Sequence, residues 1–239
     1  AGGDLSSASV ATNLTLNGGQ VQLWQDEHLT DVDVNLNGQL IALGYVDGED
    51  IVNDGLISFS GGANLEDVVN TSTGELQVLS NISVATVDNH ASGLIEQQAN
   101  VSASAQINND GEWNIYAGLF ESDVVDTRTI STTSVTGTGE FNLQTVELTY
   151  DAEGEEVTET VATNLLLNQS GNSIFDGSIN DAGAVEKDGA GTLTLTNANT
   201  FTGGLNISAG GITTASDGDS SGTLADTLDV TVGSAGTFV

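Results

Sequence analysis

Residues 74–116 read GELQVLSNISVATVDNHASGLIEQQANVSASAQINNDGEWNIY, and they carry the same short phrase three times. A glycine at Gly74, Gly93 and Gly111 opens each copy, and a run of alternating apolar and polar residues follows it. In GELQVL, Leu76 and Val78 share one side while Gln77 faces the other; in GEWNIY, Trp113 and Ile115 share a side. Alternation of period two over so few residues specifies a strand with one buried face. The glycine supplies either a turn with positive φ or a close approach of two backbones.

Beyond this stretch the phrase recurs as GQLIAL from Gly38, GLISFS from Gly55, GEFNLQ from Gly139 and GTLTLT from Gly191. At Gly55 and Gly93 the apolar phase reads one residue out of step. The first five glycines are 17, 19, 19 and 18 residues apart, too regular for unrelated loops. A unit of that size cannot bury its own apolar face, so stacking on neighbours must create the core. A second alternating run, closed by Asn or Asp, precedes several of the glycines, most clearly DVDVNLNG at 31–38 and NVSASAQINNDG at 100–111. Asn tolerates left-handed turn geometry, and stacked Asn side chains hydrogen-bond in ladders. The expectation is an all-β, right-handed parallel β-helix of about 19 residues per rung, with almost no α-helix. About a dozen rungs at roughly 4.8 Å each give a rod on the order of 60 Å long.

Composition agrees with that reading. Thirty Gly and no Pro, Cys or Met sit among many Thr, Ser, Asn, Val and Leu, a mixture that favours short strands and tight turns. Hydrophobic residues make up 38%, too many for a disordered acidic tail. No run of 18 apolar residues occurs, so no direct membrane insertion is expected of this segment. The opening AGGDLSSASV has no basic or apolar targeting stretch, which reads as a mature or excised piece. Thirty-four acidic residues face only Arg128 and Lys187, a formal charge of −32 that excludes nucleic acid and anionic membranes as partners. Such a charge serves solubility, or it creates a requirement for salt or divalent cations. Without cysteine there is no thiol catalysis, zinc–thiolate site or disulfide staple.

The spacing stretches after Gly111 and again after Gly139, which predicts insertions near 120–134 and 149–160, the second an acidic hairpin turning at 153–155. ATNLTLN from Ala11 returns as ATNLLLN from Ala162, so one solenoid domain over 1–239 is expected.

From Val185 to Ile212 the chain reads VEKDGAGTLTLTNANTFTGGLNISAGGI. Lys187, Gly189 and Gly191 form a Lys-x-Gly-x-Gly turn, Leu193 and Leu195 a leucine strand, Asn199 to Gly204 a second turn, and Ile207, Ser208 and Gly210 a strand end. This pattern closely resembles the passenger-associated repeat of autotransporter proteins. The remainder is similar in style to filamentous haemagglutinin-like secreted proteins. The resemblance implies a right-handed β-helix exported to the bacterial surface or beyond. It also implies roles in adhesion, aggregation or surface structure, with enzymes a minority.

Candidate chemistry is sparse. His28 in WQDEHLT and His90 in VDNHASG lie outside any nucleophile elbow, and a surface turn histidine is the plainer reading of each. Paired carboxylates on a β-helix would serve a polysaccharide lyase or glycosidase, but such lyases rely on Arg or Lys as well. Here Arg128 falls in a predicted insertion and Lys187 in the repeat's own turn. DGDSSG at 217–222 matches the opening of a calcium loop, with Asp217, Asp219 and Ser221 as oxygen ligands; its twelfth position is Leu228 in place of Glu. Asp47, Glu49 and Asp50 are a weaker alternative, and a solvated turn competes with both. No other cofactor is indicated.

The sequence is read as a non-enzymatic extracellular or cell-surface adhesive or structural protein. The alternatives are a carbohydrate-active enzyme and a passive stalk. Partners expected are further copies stacked head to tail into filaments, and host or cell-surface glycans or proteins.

Overall fold

The computed structural model describes residues 3–4, 12–116, 127–152, 155–215 and 222–239. Every regular element among them is a strand, and nearly all pairing is parallel between segments about 19 residues apart. Each turn of the chain contributes a short strand to one sheet and a longer strand to a second. Glu75–Val78, for example, is followed by Ile82–Asn89, and Leu94–Gln97 by Val101–Asn109. The register between the two longer strands shifts between Val84 and Thr86, so each bends into two straight segments and the chain wraps around a core. The architecture is a parallel β-solenoid.

The first sheet holds nine strands among the described residues, stacked from Gly3–Asp4 to Ser178–Asp181. Nine strands make a ladder roughly 40 Å long, shorter than a dozen rungs would give. Part of the difference is an antiparallel hairpin of Thr145–Ala152 and Glu155–Ala162, which forms its own two-stranded sheet and adds no rung. The acidic stretch 149–160 lies in this hairpin. Of segment 120–134, residues 120–126 lie outside the described residues. Strand Thr127–Thr132 is no excursion, since it pairs with Val101–Asn109 on one side and Asn164–Gln169 on the other.

The glycines act by close approach. None of the seven phrase glycines has positive φ; left-handed positions instead precede some of them, Asn37 (φ 67°) and Ser92 (φ 72°) by one residue and Gly137 and Gly189 by two. A Cβ on Gly55 would strike the carbonyl oxygen of Gly38, and one on Gly111 that of Gly93, because successive corners nest backbone on backbone. The apparent phase slips at Gly55 and Gly93 are absent: Ile57 and Phe59 pair with Leu76 and Val78, and Ile95 and Gln97 continue the same columns inward. Gln97 is accommodated inside because its Oε1 accepts the Trp113 indole N–H at 2.9 Å and its Nε2 donates to the Ala99 carbonyl. Gly177, which carries no apolar signal strong enough to be noticed, continues the stack after Gly139. Gly191 belongs elsewhere: its strand, Thr192–Leu195, joins the second sheet between Ser173–Phe175 and Leu205–Thr214.

The core is a set of axial columns. Trp113 pairs with Phe141, and the rings of Trp113, Phe141 and Phe175 follow at centroid distances of 5.3 and 5.2 Å. At one corner Asn53, Asn70, Asn89 and Asn109 stack fully buried, and the Nδ2 of each of the first three donates to the Oδ1 of the next at 2.8 Å. This ladder satisfies polar groups that the turn would otherwise bury unpaired.

Candidate functional site

In a solenoid, an outward side chain has two kinds of neighbour: residues two apart on its own strand, and residues one rung away. The second kind creates the sites. His28 Nδ1 lies 3.1 Å from Asp47 Oδ2, whose other oxygen accepts Asn64 Nδ2 at 2.9 Å, so three successive rungs supply one hydrogen-bonded row. The Asn64 amide first, then His28, hold the Asp47 carboxyl below its ordinary value despite slight burial. His90 Nε2 stands 3.3 Å from Asp88 Oδ2 on its own rung. Both pairs are exposed, and neither histidine has a serine hydroxyl among its hydrogen-bond partners in the described residues.

Carboxylates also stack. Asp31 pairs in register with Asp50, and on the next rung Asp67 precedes Val68, the partner of Ile51. Among the described residues no three His, Cys, Asp or Glu side chains are arranged to hold a metal ion, so Asp47, Glu49 and Asp50 are not gathered into a centre. Asp217, Asp219 and Ser221 lie outside the described residues. A shallow groove of about 370 Å³ runs past Asn64, Glu66, Asp67, Ser83, Ser102 and Ser104, where the second sheet bends. A second, of about 330 Å³, crosses the later rungs past Asn164, Glu186, Asn206 and Asp229. Both present hydroxyls, amides and carboxylates to a polar ligand.

Lys187 departs most from expectation. It lies in strand Val185–Asp188, not in a turn, and takes an inward place between Leu167 and Ile207 with 0% exposure. Its Nζ donates to the carbonyls of Asp188 (2.6 Å), Gly189 (3.2 Å) and Gln169 (3.4 Å). The long apolar stem fills the core column while the ammonium closes the turn that the Gly189 backbone opens. Side-chain Oε1 of Gln169 is buried there without a hydrogen-bond partner among the described residues. Desolvation lowers the Lys187 pKa to about 8, opposed only in part by Asp188. A depressed lysine pKa means that the native state is penalised while the amine is charged. The penalty is complete below about pH 8 and fades as pH rises toward the unfolded value of 10.5. Relative to a Lys187→Met variant, the native protein should therefore gain about 2 kcal/mol of unfolding free energy between pH 7 and pH 10. Chemical denaturation of both proteins at the two pH values measures this; parallel pH profiles would show that the ammonium is not desolvated. Arg128, the other cation, donates its Nε–H to the Tyr116 carbonyl at 3.1 Å.

A further feature is invisible in the alternation pattern. Trp24, Leu43, Ser60 and Leu79 each follow an inward residue of the first sheet, Leu23, Ala42, Phe59 and Val78, which are in register. They therefore occupy one corner on four successive rungs. Trp24 is 60% and Tyr45 42% exposed, and Leu43 and Leu79 are also open to solvent. The corner is rigid: Gly44 and Gly61 nest against the rung before, and Asp26 Oδ1 accepts the Tyr45 amide at 2.9 Å. No property of a single rung marks Trp24 as outward, since Trp113, on another rung, is 1% exposed.

Compared with known families, residues 185–213 match the model of the passenger-associated-transport-repeat. No curated protein and no solved structure matches the chain. The repeat and the parallel solenoid together fit a β-helix of the autotransporter-passenger type.

Proposed function

We propose that this chain is a non-enzymatic adhesive and structural rod, exported to the bacterial surface or the surrounding medium, which works through the side-chain rows its rungs repeat. The observation that carries this reading is the passenger-type repeat built seamlessly into the ladder: Val185–Asp188 pairs with Asn164–Gln169 before it and Leu205–Thr214 after it. Passenger solenoids of this kind serve to present surface. The placement of Lys187 supports the non-enzymatic part. Lys187 is enclosed on backbone carbonyls with no exposure, so it does not stand over a carboxylate groove as acidic-sugar chemistry would require.

The assembly part follows from the ladder itself. A parallel rung offers a row of N–H and C=O groups along each edge, and an end rung is a template for another copy; a head-to-tail contact that does not close gives filaments. Copies carrying −32 repel one another, so stacking should need salt or divalent cations. Electron microscopy and light scattering across a sodium chloride and calcium titration are expected to show rods lengthening as screening rises. Monomers under every condition would remove the filament from the proposal. Adhesion is tested separately by retention of protein-coated particles on cell surfaces.

A further inference from the structure

We infer that the Trp24 corner is a docking surface for a cationic, arginine-bearing polypeptide segment. This deepens the adhesive reading, on which it rests, by naming the chemistry of one partner. Two exposed aromatic rings on successive rungs, Trp24 and Tyr45, are set in a backbone that nested glycines and the Asp26 bond hold fixed. Leu43 lies between them in sequence position, and the row continues past Ser60 to Leu79, about 14 Å from Trp24 across three rung steps.

Charge selects the occupant. Asp26 and Glu27 follow Trp24 by two and three residues, Asp47 follows Tyr45 by two, and no Lys or Arg occurs anywhere before Arg128. A second copy of this chain, or any acidic glycan, would meet repulsion along the whole face. A guanidinium instead gains twice: it stacks flat on an indole or phenol ring, and it pairs with the carboxylates beside that ring. Arginine is favoured over lysine because it is more weakly hydrated and planar. The rung spacing lets an extended basic segment place successive arginines over Trp24 and Tyr45, with its apolar side chains on Leu43 and Leu79.

The test uses the whole protein and a short peptide of alternating arginine and glycine. Because Trp113 is buried, an aqueous quencher such as acrylamide reports on Trp24. The arginine peptide should protect Trp24 from quenching, and its lysine counterpart should do so less. By calorimetry the Trp24→Ala/Tyr45→Ala variant, whose net charge is unchanged, should bind the arginine peptide about five- to tenfold more weakly. Glu140→Gln, which removes one exposed charge on the first sheet away from this corner, should change affinity less than twofold. Equal affinity of the native protein and the double aromatic variant would overturn the inference, as would protection of Trp24 by a neutral oligosaccharide but not by the peptide. Either result leaves the adhesive reading intact, because that reading fails only if coated particles are not retained on cells.

Discussion

Leu193→Asp should destabilise the rungs around the passenger-type repeat by about 4 kcal/mol or more, enough to lower their melting transition by many degrees. Leu193 is 1% exposed and pairs in register with Ser173 on one side and Ile212 on the other, so the new carboxylate would enter a buried position otherwise filled by a leucine side chain. Leu195, equally buried beside Phe175, should respond in the same way. Two controls separate charge from volume. Leu193→Ala leaves a cavity and should cost about 2–4 kcal/mol, whereas Thr194→Asp, on the outward side of the same strand, should cost under about 1 kcal/mol. Solenoid rungs contact only their neighbours, so the loss should be local: hydrogen exchange ought to accelerate in 173–214 before it does so in 40–100. An unchanged melting curve for both aspartate variants would mean that the inward face of this strand is wrongly assigned.

Asn70→Ala should cost about 2–4 kcal/mol, far more than an exposed asparagine. Its Nδ2 donates to Asn89 Oδ1 and to the carbonyls of Gly74 and Leu94, and its Oδ1 accepts from Asn53. Truncation cuts the ladder in its middle: Asn89 Oδ1 loses the amide that donates to it in a buried site, while Asn53 Nδ2 keeps only its bond to the Glu75 carbonyl. Asn64, which bonds Asp47 on the exposed face, provides the comparison, and Asn64→Ala should cost below about 1 kcal/mol. Urea denaturation of the two variants measures the difference. If they lose the same stability, the buried ladder contributes nothing beyond an ordinary surface hydrogen bond.

The two histidines, the repeat and the acidic charge were all legible in the chain before its fold was known, yet they differ in how far that legibility reached. The passenger-type motif was readable residue by residue because its turns and leucine strand are local. The acidic stretch 149–160 reads as surface because its five acids cannot share a core rung, and it lies in the hairpin beyond the ladder. Lys187 was misplaced because hydropathy assigns a charged residue to a turn, and only neighbouring rungs supply the carbonyls that let it lie inside. Gly191 was grouped with the wrong glycines for a related reason: a Gly-led strand reads the same in either sheet, and its partner decides which sheet it joins.

What the sequence by itself determined is the rung: strands from period-two alternation, corners from glycine and asparagine, and a stack from repetition near 19 residues. Those are properties of segments shorter than one turn of the coil, and a pattern of side chains is enough to impose them. Only the tertiary structure decided which residues stand over one another. Axial neighbours are some 17 to 20 residues apart in the early rungs and farther where the hairpin intervenes, as with Asn142 and Asn180. A change of one residue in a turn, or one bulge, shifts every column downstream of it. The Asn ladder, the His28–Asp47–Asn64 row and the Trp24 corner all depend on that accumulated register, which is why they emerge only from the folded stack.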